Sequence, residues 1–496
     1  MTDGTTWVGS PTGGGRMVSF VNRLRDLAAE APDEVAITCG DDSVSRAELV
    51  RRGGDLALHL KSLGVDMGDL VTVAVPNSIE WFVSYVGIWM LGATPQPVSS
   101  RLPQRELEAI IELADPPVVI GVEDGAVAGR RGIPVGFVAP SGDSSVLPDV
   151  VSPAWKAPTS GGSTGRPKLI VSGDPAELDE NAPLPLLMKK GGCLVMPGPL
   201  YHNGPAVWSW QALLNGLRVA LMTRFDAEGT LVEIARHRGT VLYMVPTMMK
   251  RIWRLPEEVR DRHDLSSLEV VWHLAEPCPE WLKQCWIDWL GAERIFELYA
   301  GTEAQTATVI SGPEWLAHRG SVGRVQPGTV MVTDEDGNEL PVGEMGEVWM
   351  RSLRGTPTYR YVGAAARTRD GGWESLGDMG RLDEDGYLYL GDRASDMILS
   401  GGANIYPAEV EAAIQEHPAV QSCAVIGLPD EDKGATVHAI LEADPSVVGE
   451  DELRRFLAER LVVYKIPRTF EYVSFPLRGD DGKVRRSALR AERLEG

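Results

Sequence analysis

Thr159-Ser160-Gly161-Gly162-Ser163-Thr164-Gly165-Arg166-Pro167-Lys168 is the stretch on which the reading of this sequence turns. Its glycines let the backbone bend tightly and aim N–H groups into a concavity, which is a good nest for an anion. Four hydroxyls add donors, and Lys168 adds a compact charge suited to phosphate. The string is not a Walker A loop, because no Gly-Lys-Ser/Thr stands at the required spacing. A Ser/Gly-rich loop alone is most often a flexible surface segment. The whole ten-residue string, ending in Gly-Arg-Pro-Lys, is far more specific.

On both sides of this loop, short β-rich runs alternate with helical stretches. Residues 70–75 (LVTVAV), 117–122 (PVVIGV), 218–222, 241–245 and 269–274 read as buried strands, and 279–290 as a helix. Phe20, Leu24, Leu27 and Ala31 recur at helical spacing, so the fold is expected to begin near Met17, after a Gly/Thr/Ser-rich lead-in over 1–16. Buried strands alternating with helices predict an α/β protein with largely parallel sheets. Past about residue 320, DEDGNELPVGEMGE and RLDEDGYLYLGD predict hairpins with Asp-Gly turns. Helices are expected at 407–416 and 451–461, with a strand at 419–426. The expected organisation is a large N-terminal domain over 17–392, made of sheets flanked by helices plus a β-rich subdomain. A hinge follows at 393–396, then a small mobile α+β C-terminal domain over 397–496.

Composition narrows the function. A chain of 496 residues with 43% apolar and 24% charged residues is ordinary globular material for more than one domain. With 48 Lys plus Arg against 70 Asp plus Glu, the formal charge of −22 argues against nucleic acid and anionic membranes as partners. The five cysteines are scattered, without disulfide or zinc spacing, which fits a reducing cytoplasm. The most apolar long segment, 81–93, is shorter than the ~20 residues of a membrane span. The N-terminus has neither the basic start nor the apolar run of a signal peptide.

The ten-residue string resembles the signature loop of the AMP-forming adenylating enzymes, the superfamily of acyl-CoA synthetases, peptide-synthetase adenylation domains and luciferases. The resemblance implies that Thr159, Ser160, Gly161, Gly162, Ser163, Thr164, Gly165 and Lys168 hold the β- and γ-phosphates of ATP. Further motifs follow in the family's order. Tyr299-Ala300-Gly301-Thr302-Glu303 resembles the Tyr-Gly-x-Thr-Glu motif, with Ala300 where glycine is usual. It implies Tyr299 and Gly301 near the adenine, Thr302 at the α-phosphate and Glu303 on Mg2+, a hard cation that suits carboxylate oxygen. His273-Leu274-Ala275-Glu276-Pro277 resembles the turn along the adenine edge, assigning Ala275, Glu276 and Pro277. Pro199-Leu200-Tyr201-His202-Asn203-Gly204 resembles the segment where acyl pocket and adenylate meet, with His202 as wall or gate. Asp378, and Arg393 in Gly391-Asp392-Arg393, would bind ribose. Ser395 falls at the pivot, where relatives often carry Asp or Lys. Gly401 and Gly402 would line the pantetheine path of coenzyme A, and Lys483 in Gly482-Lys483 would enter the site for adenylation. Val75-Pro76-Asn77-Ser78 extends the likeness into the N-terminal third.

The implied activity is an acid–thiol ligase using ATP, Mg2+ and coenzyme A. YHNGP, HLAEPCPEWL and the loop's extra glycine resemble bile-acid-type CoA ligases more than short-chain acetate enzymes, pointing to a bulky alicyclic or polycyclic acid. Met196, Trp208, Met244, Met248 and Met249 fit either that pocket or the core. Three alternatives stay open: a ligase limited to thioester formation from a preformed adenylate, a stand-alone enzyme loading a carrier protein, and a nucleotide-binding regulator without catalysis. A homodimer is compatible with all of these.

Overall fold

The structure is a computed structural model that describes residues 15–161, 167–326, 328–393, 396–400, 403–430, 432–479 and 484–495. The expected lead-in therefore lies almost wholly outside the described residues. The chain enters through the strand Met17–Ser19 and the helix Phe20–Glu30, where Phe20, Val21, Leu24 and Leu27 are buried at the spacing read from the sequence. Ser19 caps that helix by accepting from the Asn22 N–H.

The main sheet has a parallel half and an antiparallel half. Val35–Cys39, Arg218–Leu221, Cys193–Met196, Val241–Met244, Val270–Leu274 and Ile295–Ala300 pair in parallel, in that spatial order. From Ile295–Ala300 the sheet continues antiparallel through Ala307–Ser311, Ser321–Val325, Tyr387–Arg393, Trp373–Leu382, Gly346–Arg351 and Thr329–Thr333. The expectation of largely parallel sheets thus holds for the first half and for a second sheet, formed by Leu70–Val73, Thr94–Pro97, Val118–Ile120 and Arg131–Ile133. Asp-Gly turns close the two expected hairpin regions. Gly337 and Gly386 sit at φ +86° and +79°, the left-handed backbone these turns require.

The apolar run read at 81–93 belongs to the helix Ile79–Met90, buried on nearly every side. A helix apolar all round must find apolar partners all round. Tyr85 stacks on Trp210 of the helix Asn203–Leu214, Trp81 lies tilted against it, and Trp89 meets it edge-to-face at 4.5 Å. Among the described residues no helix is long and apolar enough to cross a membrane.

Beyond Asp396 a separate hydrophobic cluster forms, from Ile398 and Ile405 to Leu457 and Phe470. It packs the helices Pro407–Gln415 and Glu450–Ala458 against a sheet of Ser422–Asp430, Gly434–Glu442 and Thr469–Val473. The strand expected at 419–426 begins later and runs longer, because Ala419 and Val420 form the turn closing the preceding helix. Helix Pro246–Trp253 meets this lobe: Lys250 donates to Gln415 Oε1 at 3.1 Å and Arg254 to the Val420 carbonyl at 2.6 Å.

Candidate active site

A cleft of about 2730 Å³ lies between the two lobes. On one wall, the strand Thr159–Gly161 pairs antiparallel with Pro167–Ser172, Ser160 opposite Lys168. Gly162, Ser163, Thr164 and Gly165 lie outside the described residues. The start of the loop is held by a buried relay, in which Thr72 donates to Gln96 Oε1 at 2.7 Å and Gln96 donates to Thr159 Oγ1 at 2.6 Å. Both relay residues are fully buried, where such hydrogen bonds are costly to leave unmade.

Lys168 does not stand alone. Its Nζ lies 3.6 Å from Glu303 Oε1 and 3.9 Å from the centre of the Tyr361 ring. The Tyr361 hydroxyl donates to the same carboxylate oxygen at 2.5 Å, and Thr358 donates to the Glu303 carbonyl at 2.7 Å. Burial and the Glu303 carboxylate push the Tyr361 phenol well above its usual range, so it stays a donor. Thr302 and Glu303 line the cleft together. The sequence reading placed Lys168 and Glu303 in one site, and the fold brings them together; it missed Tyr361, which arrives on a strand paired to Pro167–Ser172.

The Tyr299 hydroxyl donates to Asp378 Oδ2 at 2.6 Å, and Asp378 sits opposite Arg393 in the antiparallel pair Trp373–Leu382 and Tyr387–Arg393. The Arg393 side chain lies outside what is described. Gly301 lets the motif pass close to its neighbours, since a Cβ there would stand 2.5 Å from Leu376 Cδ1. At the end of strand Val270–Leu274, Ala275 takes φ +73°, a left-handed backbone costing an alanine roughly 1–2 kcal/mol. Thr247 holds the turn by donating its hydroxyl to Glu276 Oε2 at 2.7 Å and its N–H at 3.2 Å. Ala275, Glu276 and Pro277 all line the cleft. Glu276 Oε2 also lies 4.0 Å from Arg478 of the C-terminal lobe.

Under this turn, Lys283 Nζ lies 2.6 Å from Glu297 Oε2, in an ion pair almost sealed from solvent. His273, fully buried beside it, is held neutral by desolvation and by the Lys283 charge.

His202 stands at the N-cap position of the helix Asn203–Leu214 and lines the cleft. Its turn is clamped by Asn77, whose amide donates to the Gly198 and Met222 carbonyls at 2.9 Å and accepts from the Leu200 N–H at 2.8 Å. That gives a physical role to an asparagine the sequence reading had only matched by motif. Of the five suggested pocket residues, Trp208 and Met248 line the cleft, whereas Met196, Met244 and Met249 are fully buried core.

From the C-terminal lobe, Asp396, Tyr406, Arg478 and Val484 to Arg486 line the same cleft. Arg486 is anchored within that lobe by Glu411 at 3.0 Å and reaches Asp396 at 2.9 Å. Lys483, Ser395, Gly401 and Gly402 lie outside the described residues. The neighbour that follows Lys483 in the chain, Val484, is a cleft residue.

The family model "AMP-binding enzyme" matches residues 24–360, and "AMP-binding enzyme C-terminal domain" matches 409–479. The 3-[(3aS,4S,7aS)-7a-methyl-1,5-dioxo-octahydro-1H-inden-4-yl]propanoyl:CoA ligase of Rhodococcus jostii is 30% identical, over 95% of this chain and 98% of its own length. The 2-succinylbenzoate–CoA ligase of Bacillus licheniformis is 29% identical, over 95% of this chain and 100% of its own. Among solved structures, the O-succinylbenzoate coenzyme A synthetase from Bacillus subtilis in complex with ATP and magnesium ion superposes with a TM-score of 0.79 at 25% identity, covering 96% of this chain and 100% of that one. Model matches to both lobes and full-length relatives agree with the motifs gathered in the cleft, and the chain belongs to the AMP-binding enzyme family.

Proposed function

We propose that this enzyme activates a bulky carboxylic acid with ATP to an acyl-adenylate and transfers the acyl group to coenzyme A. The observation that carries the reading is the meeting of Lys168, Glu303, the Tyr299–Asp378 pair and the Ala275–Pro277 turn around one cleft. Two anions must come together there. At ~4 Å and an effective dielectric of ~20, two unit charges repel by ~4 kcal/mol. Lys168 and the loop donors offset that charge on the phosphates. A carboxylate oxygen of the acid attacks the α-phosphorus, and pyrophosphate leaves. Lys483 is the proposed ammonium that bridges the attacking carboxylate and the α-phosphate as charge develops. The C-terminal lobe then swivels about 393–396 and brings Gly401 and Gly402 to the site. The coenzyme A thiol, giving up its proton, attacks the acyl carbon; a C–S bond forms and AMP departs.

Glu303 fits a magnesium ion. It offers a buried carboxylate at the cleft wall, and among the described residues no group of three or more His, Cys, Asp or Glu side chains forms an all-protein metal cage. Magnesium is commonly held by one or two carboxylates plus substrate phosphates. When bound, it would neutralise phosphate charge.

The acid class follows from the cleft and the relatives. Apolar side chains lining the cleft include Phe20, Trp155, Val207, Trp208, Leu186 and Met248. One relative's named acid is a bicyclic propanoate and another's is 2-succinylbenzoate. We therefore expect AMP release with cholate, with 2-succinylbenzoate or with the bicyclic octahydroindene propanoate, faster when coenzyme A is added. A panel giving no acid-dependent AMP would overturn the reading. AMP appearing only from supplied acyl-adenylate would restrict the enzyme to the second step.

Ribose binding gives a milder test. Removing the Asp378 carboxylate, which accepts from Tyr299 at 2.6 Å, should cost ~1.5–3 kcal/mol of nucleotide binding. Asp378→Ala should raise the KM for ATP roughly 10–100-fold while the KM for the acid changes little. An unchanged KM for ATP would remove Asp378 from the nucleotide site.

A further inference from the structure

Lys156 differs from the other buried cations. Its side chain is 8% exposed and lines the cleft. Its ammonium donates to Asn203 Oδ1 and lies 4.4 Å from the centre of the Trp155 ring. Among the described residues no carboxylate forms an ion pair with it. Asp174 and Glu303 act on it only from farther off, and each is engaged already, Asp174 by Arg354 and Glu303 by Lys168. Lys283, fully buried, has Glu297. Lys250 also has no carboxylate, but it faces Gln415 across the lobes rather than the cleft.

A buried ammonium without a counter-charge is expensive, and the usual response is a lowered pKa. Burial pushes Lys156 down to about 7, against a smaller upward pull from the two carboxylates. A second feature points to the same spot. The 12-residue helix Asn203–Leu214 starts beside Lys156, and its N-cap residue, His202, makes no side-chain capping hydrogen bond. Its first N–H groups carry the positive end of the helix dipole, a good place for an anion. From there Val207 and Trp208 lead into the apolar part of the cleft, and Thr159 begins the phosphate loop three positions after Lys156. The spot is therefore the junction of the two.

We propose that Lys156, together with the start of the helix Asn203–Leu214, holds the carboxylate of the incoming acid and presents it to the nucleotide. This rests on the ligase reading above. The acid supplies the counter-charge that the fold withholds, so its affinity depends on a protonated Lys156. No bond is made or broken at the amine. This role is separate from the one proposed for Lys483.

The experiment compares wild type, Lys156→Met and Lys156→Arg in acid-dependent AMP release, using cholate, 2-succinylbenzoate and the bicyclic octahydroindene propanoate. For the acid that wild type turns over fastest, Lys156→Met should raise KM about 10–100-fold, with the KM for ATP within two-fold. Lys156→Arg should recover part of the loss. In wild type, kcat/KM for the acid should fall as pH rises through about 7, because the free enzyme loses the ammonium; Lys156→Met should lack that fall. An unchanged KM for the acid, or equal rises for acid and ATP, would overturn the proposal while leaving the ligase reading intact. A wild type that releases no AMP with any of the three acids would overturn the ligase reading, and this proposal with it.

Discussion

Lys483→Ala is expected to slow acyl-adenylate formation by roughly 10²–10³-fold, the usual cost of deleting one preorganised group that meets charge developing in the transition state. Thioester formation from supplied acyl-adenylate and coenzyme A should stay within a few-fold of wild type. The asymmetry arises because the proposed work of the ammonium ends once the phosphorus–oxygen bond has formed. Pyrophosphate release measures the first step, and loss of acyl-adenylate on adding coenzyme A measures the second. Equal loss in both would mean that Lys483 serves the stability or docking of the C-terminal lobe, with adenylation run by other groups.

The second large effect is on stability. Lys283 and Glu297 form a 2.6 Å pair with 1% and 8% of their side-chain surfaces exposed. Lys283→Ala would leave the Glu297 carboxylate buried without its cation, a loss of about 3–5 kcal/mol. Urea unfolding should show the N-terminal transition moved to clearly lower denaturant. The double variant Lys283→Met with Glu297→Leu should recover most of that loss, since two apolar side chains of similar volume need no charge partner. If the single variant unfolds like wild type, water must reach the pair and the burial argument fails. The pair also has a functional place. It ties the helix Glu280–Leu290 to the strand Ile295–Ala300, which carries Tyr299 to Asp378.

Much of the proposed site could be read in the sequence because the proposed phosphate loop and the Tyr299–Glu303 motif are contiguous strings. Local chemistry is then visible in the residues themselves: glycines for the bend, a lysine for phosphate, a carboxylate for a hard cation. The parallel strands were legible for a similar reason, as short β-rich runs separated by helices. What was not legible depends on register between distant segments. Tyr361 reaches Glu303 only because Tyr359–Val362 pairs with Pro167–Ser172. Asn77 became meaningful only once two strand ends converged on its amide. Met196, Met244 and Met249 show the converse limit: an apolar residue in a buried strand or helix fits core and pocket wall equally well until the cleft is drawn. Lys156 carried a signal that went unread. A lysine within the Ala-Trp-Lys-Ala-Pro run, directly before a strand and the phosphate loop, is a charge where the neighbours predict burial.

These residues share one consequence: the site should handle the acid and the nucleotide before coenzyme A takes part. The most direct measurement is exchange of labelled pyrophosphate into ATP, with magnesium, in the absence of coenzyme A. Exchange is expected to require a bulky acid such as cholate, 2-succinylbenzoate or the bicyclic octahydroindene propanoate, and to collapse in Lys483→Ala. No exchange with any of these acids, from a protein that still converts their preformed adenylates to thioesters, would contradict that expectation.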